Sequence, residues 1–173
     1  MAEPGQQITP ARLLELVPQQ EPFRFVDEIV EVDTDHIVSR YTFRPDADFY
    51  RGHFPGNPIT PGVLLIEAMA QTGVVALGIY IVAAEKGLDE VDRYLTMFAD
   101  VSAEFSGVVR PGEPLTITGK KVYFRRMKLR SDVEMRKDDG SLVATASLGG
   151  MGVEVASITD AGAGEQPGSE SAR

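Results

Sequence analysis

The order of apolar and polar positions divides the chain into one long apolar helix with strand-like segments on both sides. The longest apolar run predicts a helix over residues 61–86 that stops at Gly87. Before it, Thr9 as an N-cap and Pro10 at the first helical position predict a short helix that Pro18 ends. The long helix is apolar nearly all round, which is typical of a helix at the centre of a core.

Runs rich in β-branched and aromatic residues predict strands on both sides of this helix. Two precede it, over residues 23–32 and 37–43, with a turn at 33–35. Four follow it, over residues 94–105, 115–125, 128–136 and 141–155. The glycine pair Gly149–Gly150 predicts a bulge in the last strand.

These elements predict an α+β fold with a curved antiparallel sheet around one long central helix. The sheet has to wrap, because only a curved sheet covers an all-apolar helix on most sides. That arrangement is the hot-dog fold. We expect a single domain over residues 9–158, a flexible N-terminus over 1–8, and a disordered tail over 159–173, which is rich in Gly, Ala, Ser, Glu and Pro.

Composition narrows the class of protein. With 173 residues, 43% hydrophobic and 25% charged, the chain predicts one soluble globular domain. A net charge of −9 argues against a nucleic-acid partner. The chain has no cysteine, which excludes disulfides, thiol nucleophiles and thiolate metal sites and fits a cytoplasmic protein. The first residues have neither the basic start nor the apolar core of a signal peptide.

The central helix is long enough to cross a bilayer. Glu67 and Gln71 lie within it, Asn57 and two prolines lie at its start, and no basic flank sets an orientation. We therefore expect a buried core helix and no membrane span.

Two proton-transfer groups, His53 and Glu67, lie on either side of a Pro/Gly-rich loop. Glu67 is the only charged residue between His53 and Glu85. A carboxylate in so apolar a segment is costly to desolvate unless something pairs with it. It lies about five residues into the helix, or ~8 Å along the axis, and so should point into the interior. The pair suggests general acid–base chemistry.

An acid and a base in a dry cleft suit the elimination of water next to a carbonyl group. The base takes the acidic α-proton, and the acid protonates the departing hydroxyl. The backbone N–H groups around Gly62, at the positive end of the helix, could hold the carbonyl oxygen as it gains charge.

Three motifs then carry a family resemblance: Gly52-His-Phe-Pro-Gly56, Pro61-Gly-Val-Leu64 and Glu67-Ala-Met-Ala-Gln71. They resemble the signature of the FabZ/FabA family of 3-hydroxyacyl-[acyl-carrier-protein] dehydratases. Glu67, where the FabA branch has Asp, places the chain nearer the FabZ branch. The likeness covers about residues 17–152, with Pro22-Phe-Arg-Phe-Val-Asp27 and Val109-Arg-Pro-Gly112 as looser matches.

The resemblance implies dehydration of a 3-hydroxyacyl thioester to a trans-2-enoyl thioester, with no metal or redox cofactor. The substrate would arrive on the phosphopantetheine arm of an acyl carrier protein. The active site would form across a homodimer, with His53 of one subunit facing Glu67 of the other. A trimer of dimers stays open as a larger assembly.

Three further residues are predicted to contact substrate: Gly62, Phe54 and Gln71. Tyr50 and Phe54 flank His53 and are candidates for a gate. Gln71 lies one turn beyond Glu67 on the same helix face. It either orients Glu67 or fills a polar gap in the dimer, and the sequence leaves both interpretations open.

Two departures from the family pattern affect the pathway rather than the catalytic pair. Gln19-Gln20-Glu21 replaces a His-Arg pair before the first strand, and Glu104-Phe-Ser-Gly107 replaces a basic segment. Either change could weaken or redirect carrier docking, so fatty-acid synthesis and a specialised polyketide or aryl-polyene pathway both fit. A hot-dog acyl thioesterase and a non-catalytic partner subunit are the alternative functions.

Residues 119–137 hold eight of the 17 Lys and Arg residues. They are either solvated strand faces or a basic patch that steers an acidic carrier protein. They are Lys120, Lys121, Arg125, Arg126, Lys128, Arg130, Arg136 and Lys137.

Overall fold

The computed structural model describes residues 8–161, with side chains up to Ile158. The predicted flexible N-terminus, apart from Ile8, and the predicted tail beyond residue 161 lie outside the described residues. Ile8 itself packs, partly buried, against an apolar cluster that includes Leu13.

One six-stranded antiparallel sheet carries the fold, in the order β1-β2-β4-β5-β6-β3. The strands are β1 (Glu28–Val32), β2 (His36–Thr42), β3 (Tyr94–Phe105), β4 (Pro114–Arg125), β5 (Lys128–Lys137) and β6 (Leu142–Glu154). The hot-dog architecture predicted from the sequence is confirmed. β1 and β3 form the two edges of the sheet.

The central helix runs over Gly62–Lys86 and lies against the sheet, as predicted. Two thirds of its most apolar window is buried, as expected of the core helix of a soluble domain rather than a membrane span. Its contact with the sheet needs glycine on both sides. A Cβ on Gly73 would lie 2.4 Å from Val133 Cγ2, and one on Gly119 would lie 2.9 Å from the Gly73 Cα.

Shorter helices complete the chain. The first spans Pro10–Leu16, and its N-cap Thr9 accepts a hydrogen bond from the Arg12 N–H at 3.2 Å, as predicted. Single 3₁₀ turns cover Asp48–Arg51 and Leu88–Arg93, and a last helix covers Val155–Ala161. The first of these lies in the Pro/Gly-rich segment, for which the sequence predicts an irregular loop.

Two predicted features of the strands are wrong. The first strand begins at Glu28 rather than at residue 23, because the Phe25 N–H donates to the side chain of Gln71 and not to a strand. The register shift at the glycine pair of β6 is a bulge in β3, between Phe98 and Asp100, and β6 stays regular there.

Candidate active site

His53 lies in the loop between β2 and the central helix, and the backbone of that loop holds its imidazole. Nδ1 lies 2.8 Å from the carbonyl oxygen of Ile59, whose own N–H donates to the His53 carbonyl at 2.9 Å. A carbonyl oxygen can only accept, so Nδ1 carries the proton. In the neutral ring Nε2 is therefore the basic atom. The side chain is half-buried.

A buried pair of hydroxyls anchors the same loop to the core. Tyr50 Oη and Thr60 Oγ1 lie 2.6 Å apart, and the Thr60 N–H donates to the Val109 carbonyl at 2.8 Å. Burial raises the pKa of the Tyr50 phenol. The phenol therefore stays protonated and keeps its hydrogen bond to Thr60 at neutral pH.

Phe54 covers one face of the imidazole. The two rings stack with centroids 4.2 Å apart and planes 25° apart, across a cis peptide bond. Phe54 itself is half exposed. Reciprocal backbone hydrogen bonds with Asn57, at 3.0 and 3.3 Å, close the turn that carries it. The predicted substrate-contacting position of Phe54 thus lies beside His53 and on the protein surface.

Glu67 lies on the first part of the central helix, where it is half-buried and held by Gln71. The Gln71 amide nitrogen donates to Glu67 Oε1 at 2.8 Å and to the Phe23 carbonyl at 2.8 Å. The Gln71 oxygen accepts the Phe25 N–H at 2.7 Å. Gln71 is fully buried, so these three bonds fix its carboxamide in one orientation. Of the two interpretations of Gln71, the hydrogen bond within one chain agrees with the one in which Gln71 orients Glu67.

The helix changes its pitch directly after Glu67. A π-helical turn covers Gln71–Ala76 inside the otherwise α-helical segment. Such wide turns are rare and are often found at functional sites. The periodicity of the sequence gives no signal for this turn, because the segment continues the apolar run of the helix.

Gly62 is the first residue of the central helix, and Pro61 is its N-cap. The first N–H groups of a helix have no partner within it and mark its positive end. A Cβ on Gly62 would lie 3.1 Å from the ring of Phe105 on β3. Glycine at this position therefore lets Phe105 cover the helix start. Nothing in the sequence marks Phe105 for this position, since an aromatic residue in a strand usually belongs to the core.

The two proton-transfer groups are not joined within one chain. Over residues 8–158, no hydrogen bond or ion pair links His53 to Glu67; each contacts its own supporting group instead. The same residues contain no cluster of three His, Asp or Glu side chains that could hold a metal ion.

The strand nearest the helix start exposes apolar side chains at the edge of the sheet. Phe98, Val101 and Phe105 lie opposite Gly150, Leu148 and Ala144 of β6. Leu148 and Ala144 are core residues and Gly150 touches Val74, so this face of β3 is the one that faces the helix. All three side chains are nevertheless more than two-fifths exposed. An uncovered apolar strip on an edge strand is typical of an interface.

A small apolar cavity lies further along the helix. The central helix contributes Val74, Gly78 and Val82 to its wall, and the sheet contributes Phe124 and Leu129 among others. None of the five predicted site residues lines it.

The six-stranded sheet and its central helix define a hot-dog protein. A family model described as a FabA-like domain matches residues 17–147. The chain belongs to this family, and its curated relatives place it with the FabZ-type 3-hydroxyacyl-[acyl-carrier-protein] dehydratases.

Relatives of similar length support this placement. The chain is 39% identical to FabZ of Chloroflexus aggregans over 118 residues, which cover 67% of this chain and 74% of that protein. It is 35% identical to FabZ of Levilactobacillus brevis, over 82% of this chain and 84% of that one. It also matches the bifunctional LpxC/FabZ enzyme of Chlorobaculum tepidum at 38% identity, but spans only 27% of that longer protein.

Solved structures share the fold at low sequence identity. The dehydratase heterocomplex ApeI:P from Xenorhabdus doucetiae is similar with a TM-score of 0.70 and 16% identity, over 90% of this chain and 98% of that one. The thioesterase HI1161 from Haemophilus influenzae is similar with a TM-score of 0.61 and 16% identity, over 85% and 92%. A dehydratase and a thioesterase thus share this fold, and the fold alone does not separate the two activities.

Proposed function

We propose that this chain dehydrates a 3-hydroxyacyl thioester carried by an acyl carrier protein to the trans-2-enoyl thioester, with His53 and Glu67 as the acid–base pair. One observation carries the proposal. Each of the two groups is fixed by a hydrogen bond to one atom, His53 Nδ1 or Glu67 Oε1. His53 Nε2 and Glu67 Oε2 are left to act on a substrate.

The reaction follows from these two atoms. His53 Nε2 takes the α-proton, and the electrons of that C–H bond form the new C=C bond as the C–O bond at the β-carbon breaks. The protonated carboxyl of Glu67 gives its proton to the departing hydroxyl, which leaves as water. Transfer of the α-proton from the imidazolium, through solvent, restores the Glu67 carboxyl. The N–H groups at Gly62 stabilise the thioester oxygen while it carries negative charge.

Two copies of the chain are needed for this pair to meet. His53 and Glu67 contact separate groups within one described chain. The exposed apolar strip of β3 lies beside the helix that carries Glu67, because Phe105 covers Gly62. Pairing of this edge with a second copy would bury the strip and bring His53 of one subunit to Glu67 of the other. The assembly is then a homodimer, and its mass in solution distinguishes it from a trimer of dimers.

Incubation of the purified protein with a 3-hydroxyacyl carrier-protein thioester tests the activity, with mass spectrometry as the readout. We expect the acyl group to lose one water, and His53→Ala and Glu67→Gln to abolish that loss while the dimer stays folded. Release of free acid would instead identify a thioesterase. An unchanged thioester at several chain lengths would point to a non-catalytic partner subunit.

A mixing experiment tests whether the site is shared. The His53→Ala and Glu67→Gln proteins are each inactive, but a mixed dimer contains one intact site and one doubly altered site. Random exchange of subunits should restore about a quarter of the wild-type rate in a two-fold dimer. If both residues act within one chain, the mixture stays inactive.

The proposal includes a biosynthetic pathway, fatty-acid or polyketide-type synthesis, and a cellular location, the cytoplasm. A cysteine-free chain fits the cytoplasm, where the carrier-bound substrates of fatty-acid and polyketide-type synthesis are made. A comparison of straight-chain and polyunsaturated 3-hydroxyacyl substrates separates fatty-acid synthesis from aryl-polyene assembly.

A further inference from the structure

The edge strand β3 contains one residue more than the strand segment with which it pairs. Its twelve residues lie opposite the eleven residues 144–154 of β6. The pairing is continuous except between Phe98 and Asp100, so Ala99 is the extra residue. A β-bulge of this kind decides which side chains of the strand point to which face of the sheet.

The bulge keeps apolar side chains from both halves of β3 on the same face. Before the bulge, the even-numbered residues Tyr94 and Thr96 line the cavity on the helix side of the sheet. After the bulge, the odd-numbered residue Ala103 packs against the core, and Phe105 covers Gly62. Side chains alternate between faces in a regular strand. Without the bulge, one half of β3 would therefore turn its apolar side chains to the outer face.

An ion pair holds the residue that follows the bulge. The Asp100 carboxylate pairs with the guanidinium of Arg130, which lies two strands away on β5. Both residues are register partners of Gly149 on β6, so the pair crosses that strand at one point. A Cβ on Gly149 would lie 2.6 Å from Asp100 Oδ2, so glycine leaves the room that the carboxylate occupies. Arg130 also donates to Ser147 Oγ at 3.3 Å.

The position of the bulge depends on the face to which Asp100 points. If β3 absorbed its extra residue after Asp100 instead, the carboxylate would turn to the helix side of the sheet and Val101 would turn outward. Arg130 lies on the outer face, because it follows the buried Leu129 of the cavity wall. The pair therefore keeps Asp100 on the outer face and the bulge at Ala99. A partly exposed ion pair adds little to the stability of a fold, so its main effect is on this register.

We propose that Asp100, Arg130 and Gly149, which we call the bulge clamp, are positioning residues of the shared active site. The inference rests on the proposed function, because it concerns the edge on which the second chain would lie. The clamp keeps Val101 and Phe105 on the side of β3 that a second chain would cover. On that side, Phe105 also contacts the start of the central helix.

The test reverses one charge of the clamp and then restores the pair. Arg130→Glu places two acids beside each other, and Arg130→Asp combined with Asp100→Arg restores the pair in the opposite sense. Arg136→Glu is the matched control, because Arg136 lies on the same strand and face but pairs with Glu134 of its own strand. The substrate is a 3-hydroxyacyl thioester of N-acetylcysteamine, a small thiol, so that binding of a carrier protein does not affect the rates.

We expect Arg130→Glu to weaken the dimer about tenfold or more in sedimentation, since each dimer contains two clamps. At protein concentrations that keep the variant dimeric, kcat should fall about threefold to tenfold with KM unchanged, because Phe105 loses its place at the helix start. The charge swap should restore both values, and the control should match the wild type. A wild-type dimer and kcat in Arg130→Glu, or no recovery in the swap, would overturn the proposal.

Cysteine labelling reports the two faces of β3 without any catalysis. The chain has no cysteine, so Val101→Cys and Ser102→Cys each introduce a single probe, on opposite faces of the strand. With a second chain on this edge, a maleimide should modify Ser102→Cys about tenfold faster than Val101→Cys, and Arg130→Glu should make the two rates similar.

The labelling rates separate failure of the clamp from failure of the proposed function. An undiminished difference between the two probes in the Arg130→Glu background would overturn the bulge clamp and leave the proposed function standing. Equal rates in the protein without Arg130→Glu would instead contradict the shared edge, on which the proposed function and the clamp both rest.

Discussion

The two edges of the sheet are built in opposite ways. β1 is a five-residue strand with exposed Glu28 and Glu31 and the first helix packed beside it; its register shift is a feature that β3 shares. β3 has twelve residues, and Phe98, Val101 and Phe105 are exposed on its helix-facing side. Short length, charge, bulges and covering helices are the means by which proteins keep an edge from pairing. β1 is therefore a terminated edge, and β3 is an edge that needs a partner.

This difference supports the proposed position of a site shared between two chains. β3 is the edge with the exposed apolar strip. Its last residue, Phe105, covers the helix start at Gly62. A second chain on that edge would reach the segment that carries Glu67. The terminated edge lies across the sheet and has no part in that contact.

The largest difference between the two edges should appear when one lysine is placed on each of them. Val101 and Val30 are 41% and 42% exposed, so Val101→Lys on β3 and Val30→Lys on β1 disturb equal surfaces. We expect Val101→Lys to be a monomer with its dehydration rate lowered by about a hundredfold or more, because it loses the partner's half of the acid–base pair. Light scattering coupled to gel filtration measures the mass, and the carrier-thioester assay measures the rate.

Val30→Lys is the control and should keep both the dimer and the wild-type rate. A Val101→Lys protein that stays dimeric and active would remove β3 as the interface. A Val30→Lys protein that dissociates would show that β1 also takes part in the dimer interface.

The sequence predicts regular elements well where the pattern is strong. Residues 94–105 form one run with β-branched and aromatic side chains, and the structure places β3 over these same residues. The central helix is also predicted to within one residue of its start, because Pro61 and Gly87 mark its ends. Where local chemistry decides the structure, local reasoning is sufficient.

Contacts between distant segments could not be predicted in this way. Gln71 reaches Phe23 and Phe25, which lie more than forty positions earlier, and takes that segment out of the first strand. Nothing local marks this, because Phe23 and Phe25 are good strand formers. The motif likewise identifies His53 and Glu67 as candidates, but no periodicity tells whether they meet within one chain or across two.

A smaller effect is expected at Gln71. Its side chain holds Glu67, which belongs to the proposed site that a second chain at β3 would complete. Gln71→Leu removes the bond to Glu67 and leaves the Phe25 N–H and the Phe23 carbonyl unpaired. We expect the rate to fall about tenfold to a hundredfold through kcat. The free energy of unfolding should fall by about 1–3 kcal/mol for each unpaired group.

Thr72→Val separates the two effects. Thr72 neighbours Gln71, is equally buried, and shares its hydrogen bond of 2.6 Å with Ser39 rather than with Glu67. It should lose stability in urea unfolding but keep kcat. Equal losses of kcat in both variants would mean that Gln71 is structural and does not position Glu67.

The smallest expected effect lies at the terminated edge, in the turn that joins β1 to β2. His36 Nε2 lies 3.1 Å from Glu31 and Nδ1 lies 2.8 Å from Asp33. The hydrogen bond that the His36 ring donates to Glu31, and then the charge of Asp33, raise the pKa of His36 above 6.5 in the folded chain. A raised folded-state pKa stabilises the protein fully below pH 6.5, and this stabilisation is lost as pH rises through the folded-state pKa.

The His36 side chain is 37% exposed, so solvent screens the pair and limits the contribution to less than about 1 kcal/mol. Urea unfolding of the wild type between about pH 6 and pH 8 should show this decline, and His36→Gln should flatten it. Added salt should reduce the difference between the two proteins, because an exposed pair is screened. If the decline persists in His36→Gln, another group causes it. The dimer mass and the dehydration rate at one pH should be the same in both proteins, because this edge of the sheet takes no part in the shared site.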